Sequence, residues 1–325
     1  MSAPPRIAIG LDIGGTAVKL GAVNEEGRLL DRGRVPVHRD ISFEDFLAGV
    51  IPALEELMSR FPVAALGIGV PGVPDPATGM PRGRCPALPA LLEGSLPAIL
   101  GARFAIPASF GNDAVAATHG EMRHGAGRRF RRFAVITLGT GIGGAVVIDG
   151  KVIDGPDRVS PQFGCISLDP ARSDIARPVP GMLESLASAT ALVKRYRELK
   201  PDAEARDAKA VFDRARSGEA EALQAIEEAA RWLAQAIGIM SNMLNIEAAI
   251  IGGGMSLAGS FLTERIARHV GEFVLPVPGR PPSILPAALG NDAGLIGAAL
   301  LALDPLSTSP SPPEGGEGRG ERNCY

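Results

Sequence analysis

Apolar residues dominate positions 7–13 and 17–23, and Gly14-Gly15-Thr16 separates the two runs. A polar turn at Asn24-Glu25-Glu26-Gly27 then leads to Arg28-Leu29-Leu30. This pattern predicts three strands over about residues 6–37. The pattern returns from Arg132: an apolar run to Leu138, the glycine turn Gly139-Thr140-Gly141-Ile142-Gly143-Gly144, a second apolar run, Asp149-Gly150 and Lys151-Val152-Ile153. Two copies of one supersecondary unit imply two related lobes facing each other. A ligand between them can be held by backbone N–H groups from both glycine turns, as a nucleotide phosphate tail requires.

Between the repeats, Phe43, Phe46, Leu47, Val50, Leu54 and Leu57 fall at helical spacing. Ala64 to Val70 reads as a buried strand ending in Pro71-Gly72. Proline-rich segments follow, then a helix near Leu91 to Leu100, a strand toward Ser109, and a helix from Ala114 to Met122. The second half predicts helices at about 182–198 and 219–244, a strand from Ala248 to Ile251 ending in three glycines, and a last helix at about 291–303. From Pro305 the chain is rich in Ser, Pro, Gly and Glu, so 305–325 is expected to be a disordered tail.

Composition narrows the function. The chain has 325 residues, 46% of them hydrophobic, enough for two domains of ordinary size with substantial cores. A net charge of −3 argues against a nucleic-acid-binding surface, and the basic stretch His124 to Arg132 reads as a solvated loop before a strand. No apolar run is long enough to span a membrane, and Met1 to Pro5 lacks the apolar core of a signal peptide. Cys85, Cys165 and Cys324 suggest no disulfide framework, so a reducing cytoplasm is the expected compartment.

The candidate chemistry starts at the first glycine turn. Gly14 and Gly15 can take positive φ and leave no Cβ to keep a ligand away. Thr16 adds a hydroxyl and Lys19 a charge. Asp12, at the end of a buried strand, is costly unless it meets a metal, a donor or water. Two readings stand: an Mg²⁺-associated carboxylate beside phosphate oxygens, or a hairpin turn capped by its own side chains. The second glycine turn favours phosphate. Neither turn is a Walker loop or a dinucleotide fingerprint, because both lead into strands. Asp113 stands at a strand-to-helix junction, where the helix N-terminus favours an ionised carboxylate. It could act as a general base or simply cap the helix. Gly252, Gly253 and Gly254 form a turn or a flexible loop, and Glu184 is a first-turn helix residue.

Several motifs occur in one order: Asp12-Ile-Gly-Gly-Thr, Gly67-Ile-Gly-Val-Pro-Gly72, Gly111-Asn-Asp113, Leu138-Gly-Thr-Gly-Ile-Gly-Gly144, Leu183-Glu-Ser-Leu-Ala-Ser188, Ile251-Gly-Gly-Gly254 and Gly290-Asn-Asp-Ala-Gly-Leu-Ile-Gly-Ala-Ala299. Over about residues 6–303 the chain resembles the ROK family of sugar kinases, in the actin/hexokinase/Hsp70 ATPase superfamily. The resemblance implies an α/β fold of two ribonuclease-H-like lobes with a cleft between them. The first lobe would span 1–113, completed by the helix at 291–303, and the second 114–290. It implies ATP-dependent phosphorylation of a sugar hydroxyl with Mg²⁺. Asp113 would be the general base. Asn112, Glu184 and the backbone of Gly72 would face the sugar. Asp12, indirectly bound to Mg²⁺, would join Gly14, Gly15, Thr16, Lys19, Gly139, Thr140, Gly141, Gly143, Gly253 and Gly254 around the nucleotide. The expected partners are a small sugar and a nucleotide, without nucleic acid or membrane, and a homodimer is the expected assembly.

The chain departs from the family at the zinc site. Family members carry Glu-x-Gly-His and three cysteines there; the corresponding positions are Gln162, Cys165, Ile175, Arg177 and Met182. Zinc needs about four ligands, so no structural zinc is expected. The Glu and His also contact sugar in the family, so Gln162 and Cys165 imply altered sugar reading. A weakly catalytic sugar-responsive protein and a polyphosphate-using kinase are the alternatives. A DNA-binding repressor is not expected, because only eleven residues precede Asp12.

Overall fold

A computed structural model describes residues 5–155, 159–171, 179–277 and 281–304. The expected tail therefore lies outside the described residues, as do Ile175 and Arg177.

The first repeat forms β1 (Ile7–Ile13), β2 (Ala17–Asn24) and β3 (Leu29–Pro36), an antiparallel meander. The helix α1 (Phe43–Arg60) starts at Ser42, whose side chain accepts from the Asp45 amide, and buries Phe46, Val50, Leu54 and Leu57. It leads to β4 (Val63–Val70), which lies parallel to β1. Six successive buried residues in β4 reflect a strand covered on both faces. The proline-rich stretch holds a short hairpin, β5 (Val73–Asp75) and β6 (Met80–Arg82), which alternation did not reveal. The helix expected near 91–100 begins later. A 3₁₀ turn occupies Pro89–Leu92, and α2 (Leu96–Phe104) starts after Ser95, whose hydroxyl accepts from Ala98 N. Then β7 (Ala108–Asn112) joins β4 and runs into α3 (Asp113–His124).

The second repeat gives β8 (Phe133–Leu138), β9 (Ile142–Ile148) and a two-residue β10 (Lys151–Val152). The helix expected at 182–198 is two helices, α4 (Leu183–Ala187) and α5 (Ala189–Leu199). Ser188 breaks them, because its backbone is extended and its side chain accepts from Ala191 N. The helix α6 (Ala208–Arg216) and the 25-residue α7 (Ala220–Leu244) follow. The chain closes with β11 (Ala248–Gly252), α8 (Ser260–Val270), β12 (Ser283–Pro286) and α9 (Ala293–Leu303).

The two sheets have matching order: β3-β2-β1-β4-β7 and β10-β9-β8-β11-β12. In each, a hairpin lies antiparallel on one side of the first strand and two parallel strands lie on the other. The closing helices are exchanged. The helix α3 follows the first sheet and packs on β8 and β9, whereas α9 follows the second sheet and packs on β1 and β4. The two helices also pack on each other. This requires bare backbone. A Cβ on Gly10 or Gly67 would lie 1.8 Å from the carbonyl oxygen of Leu295 or Ala298, and one on Gly297 would lie 1.7 Å from Ala116 O. The fully apolar α9 thus sits directly on the first sheet, and burying Leu295 and Leu300 contributes about 2 kcal/mol each.

Candidate active site

The carboxylates of Asp12 and Asp113 come from the C-terminal end of β1 and the first residue of α3. Gly69 on β4 is the register partner of Asp12, and a Cβ there would lie 3.5 Å from the Asp113 Cα. A cavity of about 160 Å³ between the lobes is lined by Asp12, Lys19, Asp113, Thr137, Gly253 and Asn291, among others. The sequence-predicted carboxylates and the third glycine turn therefore share one space.

Asn112, not Asp113, caps α3. Its Oδ1 accepts from Ala114 N at 3.0 Å and Val115 N at 3.1 Å, and its Nδ2 donates to the Gly72 carbonyl at 2.9 Å. The amide is thus engaged with protein on both sides and braces the Gly72 turn against α3. Gly72 turns the chain at φ 90°. The Cys85 thiol donates to the preceding carbonyl, Pro71 O, at 3.7 Å, and burial pushes that thiol's pKa up.

Freed from capping, Asp113 accepts from Ala114 N at 2.8 Å. Its pKa is nevertheless raised to about 7, first by desolvation and then by the charge of Asp12. The helix N-terminus favours the ionised form. The backbone and Asn112 hydrogen bonds do act in that direction, but loss of solvent outweighs them. A carboxylate poised near neutrality suits proton abstraction from a hydroxyl.

Lys19 faces Asp12 across the β1–β2 hairpin and donates to its Oδ2 at 2.9 Å. It also donates to the carbonyl of Asn291 at 3.1 Å, just before α9. The ammonium thus joins the hairpin to the crossing segment. Thr16 is exposed at the tip of the first turn, where Gly14 N donates to Ala17 O at 3.0 Å and Gly15 faces Ala87.

At the second turn, Gly139 N donates to Gly141 O at 2.9 Å, and the exposed Thr140 accepts from the Thr190 hydroxyl through its carbonyl at 3.0 Å. Positive φ is not what most of these glycines supply; in the second turn Gly144 has it, at φ 159°. Among Gly14, Gly15, Gly139, Gly141 and Gly143, none has positive φ. They supply room. A Cβ on Gly141 would lie 2.4 Å from Glu184 Oε2, and one on Gly143 would lie 2.9 Å from Thr137 Oγ1. The left-handed residue is Gly253, at φ 77°, and a Cβ there would lie 2.5 Å from the Leu138 backbone. Gly252 ends β11, and Gly254 faces open space.

Glu184 braces the second turn from below. Its Oε2 accepts from Ile142 N at 3.0 Å. Gln162 precedes and Cys165 ends the short 3₁₀ turn Phe163–Cys165, where Phe163 packs against Gly144. Gln162 Nε2 donates to Ser160 O at 2.9 Å, and Cys165 is exposed. Gly164 lies against the Glu184 side chain. These three residues therefore gather on the second lobe, beside the glycine turn.

Sequence reasoning missed a larger cavity of about 640 Å³ that opens beyond Thr140 and is lined by Thr190, Val193, Lys194, Arg197 and Arg206, among others. Residues 190, 194 and 197 share one face of α5, so helical spacing carried a usable signal. Among the described residues, no group of three or more His, Cys, Asp or Glu could hold a metal ion, and no helix is long and apolar enough to cross a membrane.

Two lobes of like topology, with Asp12, Asp113 and the Gly252–Gly254 turn lining one cavity between them, fit the actin-like ATPase fold of sugar kinases. The chain belongs to the ROK family, whose sequence model matches residues 8–305. It is 32% identical over 303 residues to a glucokinase of Thermotoga maritima, covering 90% of this chain and 95% of the relative. The crystal structure of a ROK family glucokinase from Streptomyces griseus, in complex with glucose and AMPPNP, matches with a TM-score of 0.80 and 30% identity, over 91% of this chain and 99% of that one. A ROK hexokinase from Thermus thermophilus matches with a TM-score of 0.78 and 28% identity, over 91% and 98%. The chain is an ATP-dependent sugar kinase.

Proposed function

We propose that the protein transfers the γ-phosphoryl group of ATP to the 6-hydroxyl of a hexose, with glucose the first sugar to test. The observation that carries this is Asp113: a carboxylate with pKa raised to about 7, at the base of the cleft, beside the braced Gly72 turn. The sugar lies over Gly72 and Asn112, with Asp113 accepting the hydroxyl proton as the oxygen attacks phosphorus. The glycine turns at 14–16 and 139–143 hold the phosphates from both sides, and the nucleoside enters the large cavity beside Thr190, Lys194 and Arg197.

The residues present fit Mg²⁺ held mostly by phosphates and water, with Asp12 as the protein carboxylate. Bound there, the ion would neutralise charge on the phosphates. Asp12 is already paired with Lys19 at 2.9 Å, which suits an indirect role toward the ion. We read the protein as free of structural zinc: Cys165 stands at the family's His position, and Ile175, Arg177 and Met182 stand at its three cysteine positions.

The test is a sugar panel with ATP–Mg²⁺, comparing the wild type with Asp113→Asn and repeating the active sugar with polyphosphate. Turnover of a hexose by the wild type and loss in the variant support the reading. Turnover of no sugar, or equal turnover by the variant, would sink it.

A further inference from the structure

We propose that Glu121 is a positioning residue that fastens together the two chain crossings between the lobes and thereby sets how the cleft closes. Glu121 lies on α3, about two turns after Asp113. It is fully buried. A carboxylate in that position is costly unless strong donors surround it. Its donors come from two separate segments. Oε2 accepts from Ala126 N at 2.7 Å and from Ala288 N at 3.1 Å, and Oε1 accepts from Leu289 N at 2.8 Å.

Those segments are the crossings. Ala126 opens the turn that carries the chain from α3 to β8, and Ala288 and Leu289 lie between β12 and α9. One planar, two-oxygen group therefore holds both. Its hold reaches the reacting centre from two directions. Along α3 it reaches Asp113. Along the second crossing it reaches Asn291, whose carbonyl takes the Lys19 ammonium, and Gly294, which is so close to Asp12 that a Cβ would lie 2.7 Å from its Cγ. Rotation of the lobes must bend these two crossings, and Glu121 makes them bend together.

A second residue reports on the same clasp. A Cβ on Gly125 would lie 2.0 Å from Glu121 Oε2. Gly125→Ala therefore displaces the carboxylate without removing it, whereas Glu121→Gln leaves the shape and removes one acceptor oxygen. Each variant guards against the other merely failing to fold.

The kinetic arm of the test rests on the kinase reading; the exchange arm does not. With ATP–Mg²⁺ and the sugar turned over fastest, both variants are expected to lower kcat at least ~10-fold while the dissociation constant for AMPPNP–Mg²⁺ alone moves less than about threefold. The amides of Ala126, Ala288 and Leu289 are expected to exchange hydrogen faster in concert in both variants. Ile226→Val, in the core of the second lobe, serves as the control for lost stability. The clasp is overturned if kcat stays within twofold of wild type, if the control loses as much kcat for an equal drop in Tm, or if the three amides exchange at wild-type rates. If the wild type turns over no sugar, the kinase reading falls, and the exchange comparison alone decides the clasp.

Discussion

Asn112 holds Gly72: its side-chain N–H donates to the Gly72 carbonyl at 2.9 Å while its oxygen caps α3. One amide thus ties the turn after β4 to the start of the helix that carries Asp113. The two halves can be separated by mutation. Asn112→Asp keeps a capping acceptor but loses the donor to Gly72. Asn112→Ala loses both.

Asn112→Ala is expected to lower stability by about 1 kcal/mol, the usual worth of an N-cap, and to raise the sugar KM. Asn112→Asp is expected to retain wild-type melting and still raise the sugar KM. Thermal unfolding and steady-state kinetics on the same preparations check this. An Asp variant with unchanged KM would show that the Gly72 contact does not shape the sugar site.

Asp113→Asn is expected to reduce kcat by ~10²–10⁴-fold, the range for loss of a general base. Nucleotide affinity should hold, because the glycine turns are untouched. The cap is Asn112, so stability should not drop as it does for loss of a cap. Equilibrium binding of AMPPNP beside the kinetics separates these effects.

The acid limb of the pH profile follows from the same residue. Asp113 has a raised pKa of about 7, and only its deprotonated form accepts a proton. Thus kcat/KM should rise with pH through about 7 and level above it. The folded protein holds this proton more tightly than the unfolded chain, where the carboxyl has its ordinary value of 3.8. Asp113 therefore contributes stability that is full below 3.8 and is lost as pH rises through about 7. A pH–rate profile flat from 5.5 to 8 would remove Asp113 as the titrating base.

Much of the frame of this site is legible in the sequence. The duplicated strand–glycine–strand pattern located both hairpins, and the Asn112-Asp113 pair marked the strand-to-helix junction that faces the cavity. What escaped was set by tertiary contact. The pairing of Lys19 with Asn291 joins residues 272 apart in the chain. The acidity of Asp113 depends on how much solvent the two lobes exclude, which helix-end reasoning leaves out. Glu121 reads as an ordinary helix residue, because its three donors lie in loops five or more residues away. Ser188 broke a helix that spacing alone made continuous, since apolar periodicity does not register a local side-chain cap.

A second titration concerns stability. His119, on α3, is buried, and its Nε2 has no hydrogen-bond partner among the described residues. Its pKa is lowered from 6.5 to about 4, mainly by desolvation, with Arg123 and His124 acting the same way and Asp304 opposing them. The unfolded chain therefore takes up a proton near 6.5 that the folded chain refuses until about 4. Stability is full above 6.5 and is lost as pH falls through that window, by about 3 kcal/mol at most. His119→Met should flatten the pH dependence of denaturant midpoints between 6.5 and 4. An unaltered slope would show that another group governs acid unfolding.

The second glycine turn offers the sharpest local contrast. At Gly141 a Cβ would lie 2.4 Å from Glu184 Oε2 and 3.1 Å from its Cδ, whereas at Gly139 the nearest atom would be Gly141 O at 4.0 Å. Both glycines lie in the same turn, so a flexible phosphate loop would tolerate either substitution alike. The packed turn seen here would not. Gly141→Ala must push Glu184 off the Ile142 amide, leaving that N–H without its partner, at a cost of ~1–3 kcal/mol. It should raise the KM for ATP about tenfold, equivalent to about 1.4 kcal/mol of lost binding. Gly139→Ala should change that KM less than twofold. Adding Glu184→Ala to Gly141→Ala removes the clash, so the two losses should fall short of additive, as expected of residues in contact. If Gly139→Ala proves as damaging as Gly141→Ala, and the double variant is fully additive, then the turn acts through backbone freedom and the Glu184 contact is incidental.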